Sequence, residues 1–144
     1  MYTEFLQVHS VLRWVLLLSL TITLLKYLVG WLGNHQWKKS DNILGIVFTS
    51  LMDIQLLTGL VLYFFLSPIT KFALSDFGAA MKDSELRFYA VEHFFMMLIA
   101  VVLVHLGRAK SKKIKFDRKK FKTAFIFFFI ALVVMLAAIP WSRI

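Results

Sequence analysis

Four long apolar stretches limit the fold of this chain more than any other feature of its sequence. They run from about residue 5 to 33, 45 to 66, 87 to 107 and 123 to 141. Each is close to or above the roughly 20 apolar residues that a helix needs to cross a bilayer. The chain is 60% hydrophobic, whereas soluble domains are about 45–50% apolar. We therefore predict an all-α, four-transmembrane-helix, up-down-up-down bundle that forms a single domain, residues 1–144.

The basic residues predict the orientation of this bundle. Nine of the 17 lysines and arginines lie between Arg108 and Lys122, in the third connector, and the first connector carries Lys38 and Lys39. The second connector has more acidic than basic residues. Because cytoplasmic loops are enriched in positive charge, connectors one and three are expected in the cytoplasm. Both termini then lie on the outer, periplasmic face of a bacterial inner membrane.

The net charge of +9 does not predict a nucleic-acid partner, because the basic block is enclosed between two apolar spans. Such a block is typical of a membrane-surface connector. The lipid bilayer is thus the expected partner of the chain.

The second connector has two open interpretations. Pro68 is expected to end the second span, and Asp83-Ser84-Glu85 to start the third. Between them, residues 69–81 mix apolar and polar residues with helical spacing. They form either a short helix lying as a lid on the membrane surface or a partly ordered loop.

Two histidines predict a cofactor site near the outer face. His9 and His93 lie about equally far into the first and third spans, which occupy diagonal positions in such a bundle. Two imidazoles at one level on diagonal helices are what a haem with two axial histidines requires. At the same level the other helices carry Gly59, Ala137 and Ala138, which leave room for a porphyrin or only allow close helix packing. We predict one haem b per chain.

Arg13 lies one turn deeper than His9 on the same helix face. A charged residue at this depth is costly and needs a partner, for which Asp53, Glu92 and a haem propionate are the candidates. A structural ion pair without chemistry is equally compatible with the sequence. Arg87 could also meet a propionate, or it is an interfacial anchor.

Copper is an alternative ligand for the same layer. His9, Glu92, His93 and Met96 combine imidazole and thioether groups that suit Cu(I). Methionine is also a common core filler, and packing is the simpler interpretation. The absence of cysteine excludes thiolate sites.

A second haem between His35 and His105 is not expected. His35 is 26 residues from His9, roughly 39 Å of helix, and His105 is 12 residues from His93, roughly 18 Å. The second pair cannot share a level if the first does. His35 is predicted in a loop, and His105 at the inner boundary or in a core hydrogen bond.

Three short motifs resemble small four-helix bacterial integral membrane proteins labelled cytochrome b-like: His9-Ser10-x-x-Arg13-Trp14, Arg87-Phe88-x-x-x-Glu92-His93-x-x-Met96-Met97 and Ile139-Pro140-Trp141. The resemblance covers essentially the whole chain. It implies a b-type haem, with His9 and His93 as the matching ligands.

The leading functional hypothesis is a membrane cytochrome b that transfers electrons between a quinol and a partner protein near the outer face. Arg13, Asp53 and Gln55 are candidates to line a quinone pocket. Two other classes stay open: a copper-binding membrane protein, and a non-catalytic anchor or assembly subunit. A homo-oligomer is compatible with each of them, and no catalytic residue is predicted.

Overall fold

The computed structural model describes residues 1–143, without the side chain of Arg143, and it is built from helices. In chain order these are α1 (Tyr2–Leu32), α2 (Lys39–Leu66), α3 (Pro68–Ser75), α4 (Phe77–Ala80), α5 (Ser84–Lys112) and α6 (Asp117–Ala138), followed by a 3₁₀ turn at Trp141–Arg143. Four of them, α1, α2, α5 and α6, are long and apolar enough to cross a membrane. The prediction of an all-α chain with four long apolar helices is confirmed.

The four long helices pack in an antiparallel arrangement that is compatible with a four-helix bundle. Helix α1 packs against α2 and α6, while α5 packs mainly against α6 and less extensively against α2. Helices α1 and α5 therefore occupy diagonal positions, as predicted. We call the end that holds both chain termini the termini end, and the opposite end, with the turns between α1 and α2 and between α5 and α6, the basic end.

The helices at the basic end are longer than the apolar stretches predicted. Helix α2 begins at Lys39 rather than near residue 45, and α5 continues to Lys112 rather than 107. Asp41 explains the early start of α2, because its fully buried carboxylate accepts hydrogen bonds from Lys38 N at 2.9 Å and Lys26 Nζ at 2.7 Å. Since α6 begins at Asp117 rather than 123, most of the basic block lies on helix ends instead of in a long loop.

Prolines end two of the long helices at the termini end. Ser67, which precedes Pro68, is extended (φ −72°, ψ 122°). Ile139, which precedes Pro140, is extended as well (φ −74°, ψ 134°). A residue before proline avoids the helical region, so α6 stops at Ala138 rather than at the predicted position 141.

The second connector is helical over most of its length. Helix α3 is fixed to α2 by Thr70, whose hydroxyl donates to the Tyr63 carbonyl at 2.7 Å. Ala73, Ala80 and Ala90 are almost fully buried and form a small apolar cluster between the connector and α5. Two short helices are observed rather than a partly ordered loop, and the expected position on the membrane surface stays a prediction.

Two π-helical turns lie side by side at the termini end. They occupy Leu62–Leu66 in α2 and Phe88–Glu92 in α5. The Tyr63 hydroxyl donates to the Ala90 carbonyl at 2.7 Å and joins the two turns. Single π turns are frequent near functional sites, and both of these turns border a cavity at the termini end.

Candidate functional site

A cavity of about 310 Å³ lies inside the termini end of the bundle. All four long helices and α3 contribute to it, and its surface is mostly apolar. Its polar lining comes from Tyr2, His9, Ser10, Arg13, Gln55, Tyr63, Ser67, Thr70, Tyr89 and His93. The structure therefore brings together His9 and His93, the two residues predicted as haem ligands, on the wall of one cavity.

His93 has a defined orientation and tautomer. Its Nδ1 lies 2.6 Å from the backbone carbonyl oxygen of Ala138, on the neighbouring helix α6. A carbonyl can only accept, so Nδ1 carries the hydrogen and donates it. In the neutral imidazole, Nε2 then keeps its lone pair.

His9 has the same tautomer, which follows from two hydrogen bonds. Its Nδ1 lies 3.1 Å from the hydroxyl oxygen of Thr58. That hydroxyl donates its only hydrogen to the Gln55 carbonyl at 2.9 Å, so it accepts from His9. The Nδ1 of His9 is therefore the protonated nitrogen, and Nε2 keeps its lone pair.

Helix α2 approaches His9 closely because Gly59 has no side chain. A Cβ atom at this position would lie 3.2 Å from His9 Cε1, tighter than most contacts. Gln55 secures the same segment, since its Nε2 donates to the His9 carbonyl at 2.8 Å. Gln55 thus binds the backbone of His9, whereas Thr58, which the sequence analysis did not select, orients the ring.

Arg13 lines the cavity without the acidic partner that the sequence predicted. Asp53 lies 2.6 Å from His105, and Glu92 accepts from Arg87 at 2.9 Å. Within residues 1–143, Arg13 makes no ion pair, and its buried Nε atom has no hydrogen bond. The expectation that Asp53 or Glu92 neutralises Arg13 is therefore wrong.

The buried Oε1 atom of Gln55 is also without a hydrogen-bond partner. Among the described side chains, Arg13 Nε and Gln55 Oε1 are the two buried polar atoms in this state, and both residues line the cavity. Native interiors rarely leave such atoms unpaired, and each case requires an explanation. The two unpaired atoms indicate that the cavity accommodates a ligand with polar groups.

Two other predicted cofactor contacts lie outside the cavity. Ala137 is exposed on α6, and the buried residue at this level is Ala138, which acts through its carbonyl. Arg87 is exposed and is paired with Glu92 rather than facing the cavity.

The residues predicted for copper are not assembled into one site. Glu92 is engaged by Arg87, and Met96 does not line the cavity, whereas its neighbour Met97 does. In the described part of the chain, no group of three or more His, Asp or Glu residues is placed to hold a metal ion.

The other two histidines lie outside this site. His35 is in the turn after α1, as predicted. His105 is about half exposed and bonded to Asp53, so its hydrogen bond is on the surface rather than in the core.

Comparison of the chain with protein-family models, with curated proteins and with solved structures found no match.

Proposed function

We propose that this chain is an integral membrane cytochrome that binds one b-type haem between His9 and His93 in the cavity at the termini end. The observation that carries the proposal is the pair of imidazoles that line one cavity from two diagonal helices, each with Nδ1 hydrogen-bonded and Nε2 left with its lone pair. Histidines that bind metals usually donate the N–H of the other ring nitrogen to a carboxylate, a backbone carbonyl or water, as His93 does here.

The remaining lining residues fit the chemistry of haem. The wall is mainly aliphatic and methionine side chains, including Leu16, Met52 and Met135, which suit an apolar macrocycle. Its volume is at the lower end of the range for ligand sites. Arg13 forms no ion pair with the described residues and its buried Nε has no hydrogen bond, so it is available for a carboxylate of the ligand. Such charge-assisted hydrogen bonds are among the stronger ones.

In this proposal the protein residues hold and tune the cofactor. Haem supplies one-electron redox chemistry when bound, and its ligands and surroundings set the potential. The hydrogen bond from His93 to the Ala138 carbonyl raises the basicity of the ring and fixes its plane. The Thr58 hydroxyl does the same for His9. Thr70 on helix α3 and its N-cap residue Ser67 add two hydroxyl groups to the wall.

The position of the site limits the electron-transfer partners. The site lies near one end of the bundle. The distribution of basic residues supports our proposal that this end faces outward in a bacterial inner membrane. A single haem there does not carry electrons across the whole bilayer. We therefore propose exchange with a quinol in the membrane or with a partner protein on that side.

Absorption spectra of the purified chain test the proposal. In mild detergent, protein from haem-replete cells is expected to show sharp reduced bands of six-coordinate haem after dithionite, with about one haem per chain by pyridine haemochrome. His9→Ala and His93→Ala each remove one ligand and should abolish these bands or give high-spin iron. His35→Ala is the matched control, because His35 lies at the basic end, and its spectrum should be unchanged.

A colourless wild-type protein would contradict the proposal and leave an anchor or assembly subunit as the better hypothesis. A spectrum indifferent to His9→Ala would contradict the ligand assignment. Stoichiometric copper in the colourless protein would instead support the copper alternative.

A further inference from the structure

Positive charge is concentrated at the basic end of the bundle. Nine lysines and arginines lie within residues 108–122, and two more lie within residues 34–44. The same two segments contain two acidic residues, Asp41 and Asp117. The basic end therefore carries a large excess of positive charge, and whether this charge is neutralised depends first on the two acids.

Both acids are already engaged by groups of the chain itself. The fully buried Asp41 carboxylate accepts from Lys26 Nζ at 2.7 Å and from the Lys38 backbone N–H at 2.9 Å. Asp117 Oδ2 accepts from the backbone N–H of Trp37 at 3.0 Å. In the described part of the chain, none of the basic residues in the two segments forms an ion pair. The charge that neutralises them therefore comes from outside the chain.

Helix ends hold these charges close together. Helix α5 continues to Lys112 and α6 begins at Asp117, so residues 113–116 alone form the turn between them. Arg118 and Lys122 are four residues apart on α6, a spacing at which like charges destabilise a helix. Cations in the first turn of a helix are also unfavourable, because that end of the helix dipole is positive. The arrangement therefore opposes local stability and gains from an anionic partner.

Two tryptophans lie beside lysines of α6. Lys120 Nζ is 5.4 Å from the ring centroid of Trp37, and Lys122 Nζ is 5.9 Å from that of Trp31. Tryptophan rings favour the interface between the hydrocarbon and the headgroups of a bilayer. In a membrane, the two ammonium groups therefore lie at the level of the lipid headgroups.

Phe116 adds an exposed apolar group to the same surface. Its side chain is 78% exposed in the turn between α5 and α6, where Lys115 and Arg118 flank it and are exposed as well. Aromatic residues beside cations occur in segments that lie on lipid surfaces and in sites for single-stranded nucleic acid. Here the cations adjoin helices that are long and apolar enough to cross a membrane, and this position favours lipid.

We propose that the basic end binds anionic phospholipid headgroups, with Lys120 and Lys122 contacting lipid phosphate groups beside Trp37 and Trp31. Each lysine or arginine near an anionic membrane surface strengthens binding about fivefold. The proposal does not depend on haem.

Tryptophan fluorescence in lipid nanodiscs measures this lipid preference. Trp14→Phe and Trp141→Phe, combined in one chain, leave Trp31 and Trp37 as the reporters. Brominated phosphatidylglycerol, which is anionic, is expected to quench them with at least about fivefold higher relative affinity than brominated phosphatidylcholine. The preference should fall as salt is added, because salt screens exposed charges. Equal relative affinities of the two lipids would overturn the proposal.

Lysine substitutions in the same reporter chain test the named contacts. Lys120→Gln together with Lys122→Gln should reduce the preference to no more than about twofold. The matched control, Lys71→Gln together with Lys82→Gln, removes two exposed lysines of the second connector and should leave the preference unchanged. An unchanged preference in the first variant would contradict the assignment of these two lysines. Binding of an oligonucleotide by a chain without lipid preference would show that the basic end serves nucleic acid instead.

Discussion

The interior of the bundle is filled differently at its two ends. At the basic end, aromatic rings occupy the space between the helices: Tyr27 lies 5.1 Å from Trp37 and 6.0 Å from Phe128, measured between ring centroids. Phe48 and Phe128 meet edge to face at 5.0 Å. At the termini end, the helices enclose a cavity lined by histidine, arginine and glutamine. The basic end is therefore a packed core, and the termini end encloses a cavity.

The hydrogen bonding of buried polar groups also differs between the two ends. At the basic end, both Asp41 carboxylate oxygens accept hydrogen bonds, and the Tyr27 hydroxyl donates to the Asp41 carbonyl at 2.7 Å. At the termini end, Arg13 Nε and Gln55 Oε1 are buried and have no hydrogen-bond partner among the described residues. Local rules are usually broken at functional sites and satisfied elsewhere. The contrast supports the proposal of a ligand site at the termini end, and it predicts that the basic end contributes more to stability.

The largest expected effect concerns which end faces outward. A tag fused after Ile144 should be fully accessible to an impermeant reagent in cells with an intact inner membrane. A tag inserted at Lys113, in the turn between α5 and α6, should be protected, because positively charged connectors stay in the cytoplasm. Protection of the C-terminal tag would reverse the orientation and place the cavity on the cytoplasmic side.

The packed end should be much more sensitive to loss of volume than the lipid-facing surface. Phe128 is 1% exposed, whereas its neighbour Phe129 is 47% exposed. Phe128→Ala leaves a void among Tyr27 and Phe48, and such changes cost about 3–5 kcal/mol in soluble proteins. We expect the lower part of that range, measured by denaturant unfolding in detergent micelles. Phe129→Ala is the control, and a comparable loss for it would contradict the division into two regions.

Glycine substitutions compare the two ends directly. A Cβ at Gly107 would lie 2.4 Å from Phe127 Cβ, an atom held by its own backbone, whereas a Cβ at Gly59 would lie 3.2 Å from the His9 ring. Gly107→Ala should therefore destabilise the bundle by about 1–3 kcal/mol. Gly59→Ala should change stability less, because the ring can shift toward the cavity.

Unfolding curves of the two variants, together with the haem spectrum, measure this difference. Gly59→Ala should alter the spectrum although the protein stays folded, and Gly107→Ala should not alter the spectrum of the protein that remains folded. A spectrum altered by Gly107→Ala but not by Gly59→Ala would mean that the cavity is as tightly packed as the basic end.

Sequence patterns predicted most of the helical architecture. Apolar length identifies four long helices. The spacing of His9 and His93 from the starts of their spans predicts one level for both, and in the structure both line the same cavity. Side-chain pairing was harder to predict. Depth makes Asp53 one candidate partner of Arg13 beside Glu92, but depth does not define the direction of a side chain around its helix. In the structure Asp53 points outward to His105.

The orienting partners of the histidines show a second limit of sequence reasoning. The Ala138 carbonyl is a backbone group and carries no sequence signal. Thr58, next to Gly59, was the available signal for His9, since a hydroxyl in that layer is able to accept from a ring nitrogen. Ala137 is predicted by counting back from a span end at residue 141, whereas α6 ends at Ala138. An error of three residues in the end of a helix changes which residue faces the cavity.

The smallest expected effect on stability is at Arg13. Breaking a buried ion pair costs about 3–5 kcal/mol because it leaves a charge without compensation. Arg13 has no such pair within residues 1–143, and its guanidinium contacts the Trp14 ring at 5.0 Å. Arg13→Leu should therefore change the unfolding free energy of the haem-free protein by no more than about 1 kcal/mol, the size of a cation–π contact. The same change should clearly increase haem loss, measured by transfer to apomyoglobin. Lys38→Leu, at an exposed position of the basic end, should affect neither quantity. A large loss of stability in haem-free Arg13→Leu would assign the arginine to the scaffold, and unchanged haem retention would remove it from the site.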